Sequence, residues 1–585
     1  MNKKAFLGFL LILTIIMGGQ IFASGGQNTG GGIKEATTHK MYPSTNIPTG
    51  GTAPNVYREK LNYFSANFIK WYTDRGEGSK IYGYETPVPV RTIMHYSSLF
   101  QDAVSNFNKL YGEAFEKSRW TDAFKQAYNL DVTYKWIVPS ADYNQQLRLD
   151  MAANDLPDIF SVQSQYDLKQ MAEAGVIQEL GSLKDKYTSN RDKEVWQSDN
   201  GTLLNMATFN GQLYGLPASV SHTDFFSYLW IRKDWLDALH LQFPKTLDEL
   251  ATVMEAFNSE LRRKGINDPV GIALDRGLYY ATRGISNGFK AYPEVWEVVN
   301  GAVQWGGIGE NNKKALIYLN NLYKKGLIDR EWISFSGTDQ LRAVINGRCG
   351  IVYGGHWLVQ SLRQMPSLDP KVEWVCPPLP TADGKPVNNP ITPNFRGWVA
   401  VNSNFRNPEV AYKMLSLFSY VFSDKDCDWW VYEGGTQSIN YALGFTNISA
   451  MDNYLTYLNL MDAYKANNPG LLKAKGIPYW ANLHSDLQWE WDNMFGPLPN
   501  AAMTVLDEAF KRNGLFYNAF VGVPSTYMQE RWQSILDEQL ITYTKIITGD
   551  LEVNAGFDAW VRSFNSMGGD RITQEVNNWY KQTVK

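Results

Sequence analysis

The sequence predicts an α/β protein of two lobes. Two observations carry that reading: strand and helix signals alternate through the chain, and its 585 residues exceed what a single core serves. Apolar residues make up 44% and charged residues 19%, the composition of a folded globular chain. With 59 acidic against 55 basic residues the formal charge is -4, so a phosphate backbone finds no electrostatic footprint and nucleic acid is not expected as a partner.

Taken in order, the chain opens with Lys3 and Lys4, an apolar run from Ala5 to Met17 and a small residue at Ala23, which reads as a secretory signal peptide over 1–23. The run is shorter than the roughly 20 residues of a spanning helix, and an uncleaved anchor is the alternative. No second long apolar segment follows, so no stable membrane insertion is expected after signal cleavage. Residues 24–55 are rich in Gly, Thr, Pro, Ser and Asn and read as a flexible linker. Leu61, Phe64, Phe68 and Trp71 recur at three or four, predicting a helical extension over 56–85.

Val90 to Met94 reads as a strand, followed by a helical stripe through Val104, Phe107, Leu110, Tyr111 and Phe115. Val132, Tyr134, Trp136 and Val138 alternate at period two in a second strand ended by Pro139. A helix through Tyr143, Leu147 and Met151, a strand from Asp158 to Val162, and a helix through Leu168 and Met171 stopping at Gly175 complete the pattern. That order predicts a mainly parallel sheet faced by helices. The middle repeats the grammar: Tyr228 to Ile231 is a strand, Thr246 and Glu249 form a capping box before inward Leu250, Met254 and Phe257, and Cys349 to Tyr353 and Val372 to Cys376 are strands. The carboxyl-terminal stretch is helical. Thr526 and Gln529 cap a stripe of Met528, Trp532, Ile535, Tyr543 and Ile546 closed by Gly549; further stripes are Phe557, Trp560, Val561 and Phe564, then Ile572, Val576 and Trp579.

Several chemistries lack their motifs. There is no GxxxxGK[ST] loop, no HExxH and no GxSxG, and His39, His95, His222, His240, His356 and His484 have no metal-ligand spacing. No cofactor and no metal are expected. Cys349, Cys376 and Cys427 form no CxxC pair; buried inert thiols are expected, with a Cys349–Cys376 disulfide as the alternative. No cysteine follows the signal to carry a lipid. A carboxylate pair roughly 5–10 Å apart, as glycosidases use, is not excluded by one sequence, so a secreted glycoside hydrolase stays as an alternative.

The chain has 20 Trp and 33 Tyr, many beside Gly, Pro or Asn in loops rather than in helical stripes. A sugar ring offers flat apolar C–H faces between hydroxyls, and an aromatic plane flanked by polar groups complements both. Three clusters fit: Gly354-Gly-His-Trp357 after a strand end, Asn394-Phe-Arg-Gly-Trp398 before a strand, and Gly434-Gly-Thr-Gln437 closing a segment with Trp429 and Trp430. Each has a structural alternative: His356 as a helix cap, Arg396 paired with a structural carboxylate, Trp429 and Trp430 as core. The candidate ligand contacts are Trp357, Trp398, His356, Arg396, Asp224, Gln165, Tyr96, Trp305 and Gln437.

An ordered set of motifs then carries a resemblance: Leu156-Pro-Asp-Ile-Phe160, Gly211-Gln-Leu-Tyr-Gly-Leu-Pro217, Trp230-Ile-Arg-Lys-Asp-Trp235, Pro244-Lys-Thr-Leu-Asp-Glu-Leu250, Tyr323-Lys-Lys-Gly-Leu-Ile-Asp329, Gly397-Trp-Val-Ala-Val-Asn402 before Asn407-Pro-Glu409, and Ile547-Thr-Gly549. The chain resembles the family 1 extracellular (periplasmic) solute-binding proteins of ABC importers, in particular the alginate-binding and LplA-type oligosaccharide binders. The resemblance implies a periplasmic-binding-protein type II-like fold, two α/β lobes with a hinge and a ligand cleft between them: 86–222 with 392–445 as lobe 1, 223–391 with 446–585 as lobe 2. It implies a monomeric, non-catalytic binder of an oligosaccharide, periplasmic or extracellular, handing its ligand to ABC permease subunits; a binder feeding a membrane sensor has the same features. By the same resemblance Trp357 stacks on a sugar ring and Trp398 forms a cleft wall. Several relatives carry a calcium loop DxNxxGxxDE after the helix ending near Phe257; here Arg262-Arg-Lys-Gly-Ile-Asn-Asp-Pro269 holds too few carboxylates, so no calcium is expected.

Overall fold

A computed structural model describes residues 84, 86–96, 104–105, 114, 116–278, 280–335, 339–362, 371–423, 445–473, 475–483 and 488–583. The signal peptide, the linker, nearly all of the helical extension, the stripe from Phe107 to Phe115, and the segment with Cys427, Trp429, Trp430 and Gln437 lie outside the described residues. The chain divides into two compact units. Unit 1 holds the described residues up to Val220 with Phe395–Ser449 and Leu472–Ile477; unit 2 holds Ser221–Asn394, Ala450–Leu471 and Pro478 onward. The chain thus passes between units near 220, 394 and 449, a few residues from the sequence-expected 222, 391 and 445, and the short return at Leu472–Ile477 carried no signal in the sequence.

Eight strands build the two main sheets: β1 (Val88–Tyr96), β2 (Leu130–Pro139), β3 (Ile159–Val162), β4 (Leu216–Ser219), β5 (Tyr228–Arg232), β6 (Ile351–Gly354), β7 (Trp374–Val375) and β8 (Phe395–Val401). The helices used below are α1 (Arg119–Tyr128), α2 (Ser140–Ala152), α3 (Gln165–Glu173), α4 (Leu247–Arg263), α5 (Tyr280–Gly288), α6 (Glu310–Lys324), α7 (Val410–Ser423), α8 (Asp452–Lys465), α9 (Thr526–Thr548), α10 (Val553–Ser566) and α11 (Gly569–Thr583).

Unit 1 carries a five-stranded sheet of order β2-β1-β3-β8-β4. The first three strands are parallel, Val88 opposite Leu130 and Thr92 opposite Ile159, whereas β8 runs antiparallel to both β3 and β4. The parallel expectation is therefore corrected for β8, which re-enters the unit after a long excursion and arrives reversed. Helix α1 seats Trp120, Phe124 and Tyr128 in the core and stops where Asn129 turns left-handed, φ 59°. Trp120 stacks on Phe418 of α7 at 5.4 Å. Helix α3 is capped by Ser164 Oγ, which accepts from the Asp167 amide, buries Leu168 and Met171, and is followed by left-handed Gly175. A buried carboxylate, Asp192, accepts from Ser189, Ser416, Ser419 and Asn447, so the helix Asn190–Gln197, α7 and the segment after Phe445 are tied by charge-assisted bonds.

Unit 2 holds a three-stranded antiparallel sheet of order β6-β5-β7, which corrects the expected repeat of the parallel grammar. All five residues of β5 are buried, as a central strand requires. A fully buried run has no period-two alternation, and so gives the sequence no sign of pairing direction. The capping box of α4 forms as read: Thr246 accepts from the Glu249 amide and the Glu249 carboxylate accepts from the Thr246 amide. Helix α9 is capped one residue earlier than read, by Ser525, and ends at left-handed Gly549. Helices α6, α9, α10 and α11 pack their apolar stripes together, and Asn320 donates to the Ile546 carbonyl to close the end of α9. Cys349 and Cys376 are buried free thiols, so the disulfide alternative falls. Burial raises the Cys349 thiol to about 12, which leaves it unreactive.

Candidate functional site

In unit 1 the sheet reverses its direction of growth at β1: β2 lies on one side and β3 on the other. Ligands of such sheets bind outside the carboxyl ends of the strands at this switch point. The residues there are His95 and Tyr96 ending β1, Gln163 just past β3, and Ser140 opening α2. Gln163 donates its amide N–H to His95 Nε2 at 2.8 Å, so Nδ1 carries the proton and donates to Ser140 Oγ, also at 2.8 Å. That arrangement holds a neutral imidazole. Burial, with the Arg396 guanidinium as a smaller cause, pulls the His95 pKa down to about 4.

Arg396 reaches this region because β8 is irregular. The pairing with β4 shifts register between Phe395 and Trp398, and Gly397 sits at φ 100°, where a Cβ would collide with Ser161 Oγ and the Val162 carbonyl. Only glycine fits, and the irregularity parts Arg396 from the alternation that Trp398 follows. Arg396, His95, Thr92, Tyr143, Ser161 and Thr446 line a cavity of about 50 Å³ within unit 1.

In unit 2 the loop after β6 carries His356 and Trp357. The indole of Trp357 lies over Gly355, where a Cβ would collide with the ring, and Trp230 of β5 donates to the Gly355 carbonyl at 3.2 Å. Trp357 is half-buried, edge-on to His356 at 5.0 Å and to Tyr280 at 5.9 Å. The Tyr280 hydroxyl donates to the Asp224 carbonyl at 2.8 Å, and Asn453 of α8 donates to Asp224 Oδ1 at 2.6 Å. Arg283, one turn on from Tyr280, lies 3.6 Å over the Phe225 ring, donates to the Phe225 carbonyl and pairs with Glu294. The short turn His222–Phe225 is thereby fixed from two helices, α5 and α8. An aromatic wall beside an oriented carboxylate and a tyrosine hydroxyl can grip a polyol through its flat face and its hydroxyls.

Of the residues nominated from sequence, the structure brings Trp357, His356 and Asp224 together in unit 2, and puts Arg396 near the carboxyl end of β1 in unit 1. Tyr96 lies at that strand end but is buried. Three nominations need correction or restriction. Trp398 is fully buried and donates to the Leu203 carbonyl at 2.8 Å, a core role rather than a wall. Trp305 is buried against Trp296 and Trp532 and donates to Gln539 Oε1 at 2.7 Å, again core. Gln165 is nearly buried, its amide committed to the Met206 carbonyl. Gln437 lies outside the described residues. Sequence reading missed Tyr280, Asn453, His95, Gln163 and Thr446; for His95 and Gln163 the signal was position at the ends of the first and third strands. Among the described residues no three His, Cys, Asp or Glu side chains gather to hold a metal ion. The turn after α4 is bound by Arg348, whose Nε and Nη2 donate to the Asp268 carbonyl at 2.9 and 2.7 Å.

A mixed five-stranded sheet joined by repeated chain passages to a second α/β unit, each bearing a polar-aromatic patch, defines a periplasmic-binding-protein type II fold. The chain belongs to the bacterial extracellular solute-binding protein family, whose model matches residues 101–425. It is 24% identical over 498 residues to the polygalacturonan/rhamnogalacturonan-binding protein YtcQ of Bacillus subtilis, covering 81% of this chain and 90% of that one. Over 230 residues it is 30% identical to the fructooligosaccharide ABC transporter substrate-binding protein FusA of Streptococcus pneumoniae, 35% of this chain and 42% of the relative. Among solved structures the fold is similar to the alginate-binding protein AlgQ2, with a TM-score of 0.59 at 16% identity over 85% of this chain and 99% of that one.

Proposed function

We propose that this protein is the substrate-binding component of an ABC importer, capturing an oligosaccharide outside the cytoplasm and delivering it to the membrane permease by closure of its two units. The observation that carries the sugar reading is the unit 2 assembly of Trp357, Tyr280, His356 and Asp224, an aromatic face with hydrogen-bonding groups at its edge. YtcQ and FusA, both named for oligosaccharide or polysaccharide ligands, support the same class. A hinge is supported by the bonds at the unit 2 ends of three of the five passages: Asn394 donates to the Ser221 carbonyl at 3.0 Å, and the His222 amide donates to the Ala450 carbonyl at 2.7 Å. Such joined segments absorb a rotation in a few backbone angles. Binding rather than catalysis is the assigned role, with export as a free monomer.

The test is a thermal-shift screen of the purified protein against neutral and acidic oligosaccharides, with released reducing ends measured in parallel. A ligand at 100 times its Kd stabilises the folded form by about 2.7 kcal/mol. A raised melting temperature without new reducing ends is the expected result. Release of reducing ends from the bound sugar points to a hydrolase and overturns the assignment, as does a panel in which no sugar shifts the melting temperature.

A further inference from the structure

Helix α8 serves the unit 2 patch with one residue and carries a further aromatic group on the next. Asn453 holds Asp224 Oδ1 at 2.6 Å. Consecutive side chains on a helix diverge by about 100°, so Tyr454 turns from that contact towards the helix Ala502–Lys511. There its ring stacks on Phe510, with centroids 4.0 Å apart and planes 14° from parallel. A continuous path of contacts and one peptide bond thus runs within unit 2 from Trp357 through Tyr280, Asp224 and Asn453 to Tyr454 and Phe510.

The stacked pair differs from the aromatic residues that this unit packs inside. Tyr454 and Phe510 are half-buried, whereas Trp230, Trp332 and Trp560 are fully buried. The polar edge of the pair is ordered: the Tyr454 hydroxyl donates to Asp507 Oδ1 at 2.8 Å, and Lys511 Nζ pairs with Asp507 Oδ2 at 2.8 Å and with Glu508 Oε1 at 2.9 Å. Lys511 remains well exposed and has three ammonium protons for those two carboxylates, while the Tyr454 oxygen still accepts. An aromatic face bordered by a fixed hydroxyl, a carboxylate and an ammonium repeats the chemistry that Trp357, Tyr280 and Asp224 present at the other end of the path. It complements the flat C–H face and the hydroxyls of a sugar ring in the same way.

We propose that Phe510 and Tyr454, with Asp507 and Lys511 at their edge, form a second sugar-stacking subsite on unit 2, taking a ring of the oligosaccharide beyond the one that Trp357 meets. The protein therefore selects for length: a ligand that reaches both platforms gains affinity that a shorter one does not. The inference rests on the sugar-binding reading and deepens it, and it requires no charge on the sugar.

The test is calorimetric titration of the full chain with two ladders, galacturonides and fructo-oligosaccharides, each from disaccharide to hexasaccharide. In a ladder that binds, the wild type is expected to gain about tenfold in affinity from the shortest to the longest member, the worth of one well-placed aromatic contact. Phe510→Ala is expected to abolish the gain, so that the hexasaccharide binds no more tightly than the disaccharide. Phe510→Leu, which keeps apolar bulk without a flat face, is expected to do the same and serves where the Ala variant fails to fold. A purely structural phenylalanine gives a different result, a loss by the same factor at every length, and that result overturns the inference. Wild-type affinity independent of length, or a length gain that survives both variants, overturns it as well. Binding of neither ladder overturns it too, yet the sugar-binding reading stands if another oligosaccharide of the thermal screen binds. If none does, that reading and this inference fall together.

Discussion

Trp357 owes its place to two small features, a glycine beneath its ring and a tyrosine edge beside it. Gly355 is the residue whose missing Cβ lets the indole lie flat over the backbone, and Tyr280 meets it at 5.9 Å. Because the indole is half-buried and outside the sheet core, Trp357→Ala is expected to weaken sugar binding about tenfold, roughly 1.4 kcal/mol, while leaving the unliganded melting temperature nearly unchanged. Fluorescence titration and a melting curve on the same variant check both halves. The contrast with Trp398 and Trp305 shows what sequence can say about a tryptophan. All three stand near glycine, so local composition does not distinguish them; the distinction comes from distant partners, Leu203 for Trp398, Gln539 for Trp305 and Tyr280 for Trp357. Tyr280 itself lies on a helix, where its spacing to Arg283 reads equally well as a surface pair.

At the scale of elements, β8 carries the strongest local constraint. Gly397 at φ 100° faces Ser161 and Val162, so Gly397→Ala meets both a steric collision and a backbone region that L-residues avoid. A loss of about 1–3 kcal/mol, read as a lower urea midpoint, is the expected outcome. An unchanged midpoint contradicts the account of the irregular strand. Elements with strong local signals were legible in the sequence: the period-two strand β2, the capping box of α4, the left-handed stops at Gly175 and Gly549, and the inward stripes of α9, α10 and α11. Strand direction was not. Whether β6 runs with or against β5 depends on the path of more than a hundred intervening residues, and nothing in four buried residues encodes it.

At the scale of the molecule, the passages between units concentrate a pH-sensitive group. His222 is fully buried in unit 2 beside the passage at Val220, and neither ring nitrogen has a hydrogen-bond partner among the described residues. Burial pulls its pKa from 6.5 down to about 4. The unfolded chain therefore takes up a proton near pH 6.5 that the folded chain refuses until about pH 4. Stability is full above pH 6.5 and is lost progressively as the pH falls towards 4, by something on the order of 3 kcal/mol from this residue. Melting temperatures should thus drop between pH 7 and pH 4.5, and His222→Phe, which keeps a ring but cannot protonate, should flatten part of that slope. A variant with the wild-type slope contradicts this assignment. The division into two units followed from length and alternation together with the ordered motifs, whereas the exact passages and the return at Leu472–Ile477 needed three-dimensional contacts.

The central claim is that the protein binds an oligosaccharide through an aromatic and polar site that includes Trp357. Calorimetric titration of the full chain with the best sugar from the thermal screen, run beside Trp357→Ala, tests it most directly. The account predicts saturable one-site binding in the wild type and a loss of about tenfold in the variant. Wild-type binding unaffected by the substitution, or saturable binding only to a peptide or a metal ion, contradicts it.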